Sequence, residues 1–137
     1  MRGLLFDASS LVYALKTRRL SLLVDNYALD LTVYEVLNAF WKEAVLLKHI
    51  SVEDAVKLSS VAAKAMGLMK LIDIRGLEEA VVKAAAELRL TAYDASYVVA
   101  AERHGLTLVT EDRRLAARAS GRVRVMSLDE AAEEERG

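Results

Sequence analysis

Residues 91–110 read TAYDASYVVAAERHGLTLVT, and the fold turns on them. Residues 91–101 carry one charge, Asp94, among mostly small and apolar side chains, so this segment predicts a largely buried helix opened by Thr91 and stopped at Gly105. The apolar run at 106–110 predicts a strand directly after it. Toward the C-terminus the pattern repeats as a short helix over 113–119, a turn at Gly121, a strand over 123–126 and an acidic final helix. Toward the N-terminus, residues 3–7 predict an opening strand with helical signals following at once, 28–31 a weaker strand, and 71–74 another. Between them Val33, Val36, Leu37, Phe40, Trp41 and Ala44 recur at helical spacing on one expected core face. Ser51 opens a further helix, with Val52, Ala55, Val56, Ala62, Ala63 and Met66 toward the core and an end near Gly67. Gly76 then precedes an alanine-rich helix running through Leu88. Strands alternating with helices imply a mainly parallel sheet covered on both faces, an α/β/α sandwich. In such sheets a functional crevice lies beyond the carboxyl ends of the strands.

Composition narrows the chemistry. With 137 residues, 54% hydrophobic and 28% charged, and a net charge of -1, the chain is expected to form one domain, 1–137, with a real core. The longest stretch without a charge is residues 8–15, far below the roughly 18 apolar residues of a membrane span. The run Leu4, Leu5, Phe6 is too brief for a secretory signal, which predicts a cytoplasmic location. Cysteine is absent, which removes disulfides, thiolate nucleophiles and cysteine metal sites. His49 and His104 both sit near predicted helix ends, where a dipole interaction accounts for them. Glutamine is also missing and asparagine occurs only at 26 and 38, whereas ionic residues abound, a pattern that suggests adaptation to heat. The lack of proline runs against that reading.

Four acids stand where strands hand over to helices. Asp7 ends the first strand, Glu35 lies in the first turn of LTVYEVLNAF, Asp94 in the first turn of TAYDASYVVAA, and Asp112 two residues beyond Thr110. Each has a local explanation. Thr32-x-x-Glu35 and Thr91-x-x-Asp94 are capping-box patterns, as is Ser51-x-x-Asp54, and Asp7 and Asp112 fit helix N-caps. Against this, Asp94 is alone on an apolar helix, while Glu35, Asn38 and Lys42 share a polar face that fronts either solvent or a cavity. Were the acids to converge, two of them about 4 Å apart would repel by roughly 4 kcal/mol at an effective dielectric near 20. Such a cluster calls for protons or cations, and an oxygen-only donor set suits Mg²⁺ or Mn²⁺. Phosphodiester hydrolysis is the chemistry such a site serves.

In order and setting, FDAS, LTVYEVLN, TAYDASYVVAA and LVTEDRRL resemble the PIN-domain nucleases, above all the small VapC-type toxins of toxin–antitoxin pairs, over residues 3–127. The resemblance implies a three-layer α/β/α fold and a metal-dependent endoribonuclease, usually a homodimer, that leaves 5′-phosphate and 3′-hydroxyl ends and is inhibited by a cognate antitoxin. By position it implies that Asp7, Glu35, Asp94 and Asp112 are the catalytic, metal-binding acids, with Ser9, Asn38 and Thr110 in support. Glu111, directly before Asp112, departs from the pattern and competes with it.

The near-neutral charge argues against broad nonspecific RNA binding, so local patches must serve. Arg113, Arg114, Arg118, Arg122 and Arg124 follow Asp112, and Lys16, Arg18 and Arg19 follow the Asp7 motif. Arg113 and Arg114 are the candidate substrate contacts; a solvated face balancing the acidic tail is the plain alternative. Tyr13, Tyr34, Tyr93 and Tyr97 fit base stacking, with packing the commoner role. A receiver-type phosphoacceptor would want paired acids after the first strand, and a haloacid-dehalogenase-type phosphatase an acid at Ser9. The remaining alternative is a catalytically silent PIN-like domain that binds RNA or protein.

Overall fold

The computed structural model describes residues 3–137. The chain runs β1 (Leu4–Phe6), α1 (Ala8–Lys16), a 3-10 turn (Leu20–Leu22), β2 (Tyr27–Leu29), α2 (Asp30–Trp41) continuing as a π turn (Lys42–Leu46), and α3 (Val52–Met66). Then come β3 (Lys70–Ile72), α4 (Glu78–Leu88), α5 (Ala92–His104), β4 (Thr107–Val109), α6 (Arg113–Ala119), β5 (Val125–Met126) and α7 (Leu128–Arg136). All pairings are parallel, in the order β3-β2-β1-β4-β5.

Side chains alternate across the short strands and divide the interior into two layers. Leu4 and Phe6 face a cluster with Leu11 and Ala14 of α1, Val36 and Phe40 of α2, Ala62 and Met66 of α3, and Leu128 of α7. Leu5 and Leu108 face the opposite cluster with Tyr97, Val98 and Ala101 of α5 and Leu115 of α6. α4 joins this side through Val81 and Ala84 against Ala95 and Val99. This is the three-layer α/β/α sandwich that the alternation predicts. From β1 the chain builds outward in both directions, β2 and β3 to one side, β4 and β5 to the other. The order therefore reverses around β1, and the crevice belongs at its carboxyl end.

Two expectations need correction. Leu37 and Trp41 are 43% and 49% exposed and Val52 and Val56 61% and 62%, with Ala63 also exposed, so these residues lie outside the core. Periodicity marks an apolar flank, but α1 and α3 cover only the narrower stripe of Val36, Phe40 and Ala44. The uncovered flank continues through the π turn as Val45, Leu46 and Leu47. The second correction concerns the start of α2. It begins at Asp30, because the Thr32 hydroxyl accepts the Leu29 N–H at 3.0 Å, and Glu35 has no part in capping it.

Candidate metal and phosphodiester site

Asp7 follows β1 directly, and its backbone is extended where α1 begins. Its Oδ1 accepts the Ser10 N–H at 2.9 Å, so the N-cap reading of Asp7 holds. The same oxygen accepts the Ser9 hydroxyl at 2.7 Å, and Oδ2 accepts the hydroxyl of Thr110 at the end of β4. The buried Ser10 hydroxyl donates to Val109 O at 2.7 Å, tying the first turn of α1 to β4. Ser9 and Thr110 thus support Asp7 by direct hydrogen bonds. Each also orders the segment leading to Asp112: Ser9 Oγ accepts Glu111 N–H and Thr110 Oγ1 accepts Asp112 N–H, both at 3.0 Å.

Asp7 is only 6% exposed, and burial raises its carboxyl above the usual range against the opposing pull of its Thr110, Ser10 and Ser9 hydrogen bonds. Half-buried Glu35 is also raised, first by burial and then by the charges of Asp94 and Asp7, while the Tyr97 hydroxyl works the other way. Asp94 is raised by burial and by the charges of Asp112 and Asp7, with Arg114 in partial opposition. The four acids therefore share one electrostatic field. Among the described residues, none of the four is in an ion pair.

The acids differ in their local partners. Asp112 Oδ1 caps α6, accepting Arg114 and Leu115 N–H at 2.9 and 3.1 Å. Glu111 Oε2 accepts Leu128 N–H at 2.7 Å at the start of α7. Thr91 Oγ accepts Asp94 N–H at 3.1 Å, but among the described residues the Asp94 carboxylate accepts no hydrogen bond. Asn38 is exposed and, among the described residues, joins no side-chain hydrogen bond. Sequence reasoning missed Tyr97 as a member of the site. It lies 1% exposed in the core with its hydroxyl donating to Glu35 Oε1 at 2.6 Å, and its place one turn beyond Asp94 was the available signal.

These residues suit a hard divalent cation, because all the donors are carboxylate oxygens and their mutual repulsion is not offset by a basic side chain in an ion pair. Among the described residues no three acidic side chains form a ready-made ligand shell. Mg²⁺ does not require one, since it is commonly held by one or two carboxylates and retains several waters.

Most of the basic candidates are engaged elsewhere. Arg122 pairs with Glu102 at 2.7 Å and Glu87 at 3.4 Å, Arg124 with Glu134 at 2.7 Å, Lys16 with Glu43 at 2.5 Å and Arg19 with Asp129, and Arg118 donates to Arg89 O. Arg113 and Arg114 are exposed at the start of α6 and have no ion pair among the described residues. A cleft of about 470 Å³ opens beside them, lined in part by Thr110, Asp112, Arg113 and Ser127. Tyr34 and Tyr93, each just before an acid, are 73% and 63% exposed, whereas Tyr13 is half-buried beneath Arg19.

Comparison with known proteins agrees with this fold. The PIN domain matches residues 4–121. The chain is 42% identical over 100 residues to the protein named Exonuclease VapC9 of Pyrobaculum aerophilum, covering 73% of this chain and 71% of that one. It is 37% identical over 94 residues to Ribonuclease VapC3 of the same organism, covering 66% and 68%. The crystal structure of PAE2754 from P. aerophilum superposes with a TM-score of 0.79 at 32% identity, covering 99% of this chain and 98% of the other. The sandwich and these likenesses lead to one conclusion: the chain belongs to the PIN-domain family, among its VapC-type members.

Proposed function

We propose that this protein is a divalent-metal-dependent endoribonuclease and the toxin of a toxin–antitoxin pair. The observation that carries this reading is Asp94. Its half-buried carboxylate accepts no hydrogen bond among the described residues, forms no ion pair there, and is raised by burial first and then by the charges of Asp112 and Asp7, with Arg114 in partial opposition. A carboxylate placed beside like charges costs stability, and a bound cation removes that cost. Asp7, Glu35, Asp94 and Asp112 would hold Mg²⁺ or Mn²⁺. When bound, such an ion supplies charge stabilisation at phosphoryl oxygens and a more acidic water.

The chain's own groups divide the remaining work. Ser9 and Thr110 hold Asp7 in place, and through Glu111 N–H and Asp112 N–H they also set the backbone that presents Asp112. Arg113 and Arg114 bind phosphates flanking the scissile bond, and Tyr34 and Tyr93 offer exposed faces for bases. The apolar flank of α2, the π turn and α3 fits a protein partner, either an antitoxin or a second copy.

The relatives' names, exonuclease and ribonuclease, leave the mode of attack to be tested. Closed circular RNA is the decisive substrate, because an exonuclease finds no end on it. Wild type is expected to linearise the circle with Mn²⁺ or Mg²⁺ and not in EDTA, and Asp94→Asn to lose this activity by at least about a hundredfold, in line with removal of a metal-binding acid. Equal cleavage by wild type and Asp94→Asn would overturn the assignment, and so would cleavage in EDTA. Cutting of linear RNA alone would replace endonuclease with exonuclease.

A further inference from the structure

Tyr97 belongs to α5, yet its hydroxyl ends between two residues of α2. It lies 2.7 Å from Thr32 Oγ1 and 2.6 Å from Glu35 Oε1. Proton counting fixes the direction of this line. Leu29 N–H can only donate, and it points at Thr32 Oγ1 from 3.0 Å. Thr32 Oγ1 is thereby an acceptor toward the end of β2, and its single proton is available to the Tyr97 oxygen. The Tyr97 proton then goes to Glu35 Oε1. The opposite direction would set the Tyr97 oxygen against a carboxylate oxygen with no proton between them.

We infer that Tyr97 is a positioning residue for the acid cluster: the line from Leu29 N–H through Thr32 and Tyr97 holds the Glu35 carboxylate by Oε1 and leaves Oε2 to the cation. This rests on the reading of the acids as a metal site and deepens it. Three features set Tyr97 apart from an ordinary core tyrosine. Its ring is buried to 1% exposure, so the hydroxyl has no access to bulk water in which to be satisfied. Its partner belongs to the cluster itself. The backbone donor at the start of the line lies in the sheet, so the position of Glu35 is referred to β2 and not only to its own helix. A long, flexible glutamate at a half-buried position otherwise loses rotamer freedom when it ligates, and holding it beforehand lowers that cost.

The test reads metal binding directly, from the electron paramagnetic resonance signal of free Mn²⁺ titrated with protein, well below the unfolding temperature of every variant. Tyr97→Phe keeps the ring and removes the hydroxyl; the Mn²⁺ dissociation constant is expected to rise about tenfold, the scale found when a hydrogen-bond partner of a metal ligand is lost. Thr32→Val breaks the same line one step earlier and supplies the answer should Tyr97→Phe fail to fold; it is expected to weaken binding severalfold, and Thr32→Ser to restore it. Ser96→Ala removes another hydroxyl of α5, one that among the described residues bonds only Ala92 O, and is expected to leave Mn²⁺ binding unchanged. Wild-type affinity in Tyr97→Phe and Thr32→Val, with Glu35→Gln weakened, would overturn the inference and leave the metal site standing. Equal weakening by Ser96→Ala would reduce Tyr97 to packing and also overturn it. If wild type depletes no free Mn²⁺, the metal site fails and the inference with it.

Discussion

Glutamine has the shape of glutamate without its charge, and at position 35 its amide oxygen can still accept the Tyr97 hydroxyl. Glu35→Gln therefore isolates the electrostatic cost of this acid. Because burial and the charges of Asp94 and Asp7 raise the folded-state carboxyl, the folded chain binds more protons than the unfolded chain between the ordinary carboxylate value and the raised one. Stability from this group is greatest below the ordinary value, falls as pH rises through that window, and is flat above it. Urea unfolding without divalent ions is expected to show Glu35→Gln gaining on wild type as pH rises from about 4, with the gap constant once Glu35 is ionised. A gap that narrows with pH would contradict the assigned cause. Asp94→Asn follows the same sign: about 0.5 to 1 kcal/mol of added stability at neutral pH without metal, the scale of interactions between partly exposed charges, together with loss of ribonuclease activity. A destabilised Asp94→Asn would show that the carboxylate has a structural partner. At this scale the bonds of Ser9 and Thr110 to Asp7 were legible, as was the mutual influence of the acids, Asp94 and Asp7 acting on Glu35 and Asp112 and Asp7 on Asp94. The role of Tyr97 was not, because a tyrosine on an apolar helix reads equally as packing until its hydroxyl is seen to meet Glu35.

The elements show why capping and function were hard to separate. Asp7 and Asp112 each cap a helix and are also proposed for the acid cluster, because a strand that ends at the crevice starts its helix there. Ser51 and Thr91 open their helices and Gly105 ends one as the sequence predicts, the glycine at φ +64. α2 does not, because Thr32 spends its hydroxyl on Leu29 and Tyr97, and Glu35 bonds Tyr97 and takes no part in the cap. Strand β3 starts one residue early and ends two residues early, and the π turn carries no sequence mark, since both depend on packing between distant segments. Thr91→Ala is expected to cost about 1 kcal/mol in urea unfolding through the lost α5 cap. Since that cap also fixes the first turn bearing Asp94, Mn²⁺ affinity should fall with it. Unchanged stability would mean that solvent replaces the cap without loss.

For the whole molecule, alternation alone predicts a parallel sandwich, whereas the order β3-β2-β1-β4-β5 depends on which crossovers go to which side of β1, and that is not written in any one segment. The exposed flank of Leu37, Trp41, Val45, Val52 and Val56 escaped for a related reason: periodicity reports that a face is apolar and not what covers it. Heat resistance belongs at this scale too. Isolated surface pairs contribute little, but Arg122 bridges Glu102 and Glu87 and so joins α4 and α5 to the segment before β5. Calorimetry is expected to give a Tm above the roughly 45–65 °C of mesophile domains, and a value inside that range would remove the thermal reading of the composition. The most direct measurement of the central claim is an anomalous difference map from crystals soaked in Mn²⁺. The account predicts a peak within coordination distance of at least two of Asp7, Glu35, Asp94 and Asp112; a well-ordered site with no peak there, or a peak held by other residues, would contradict it.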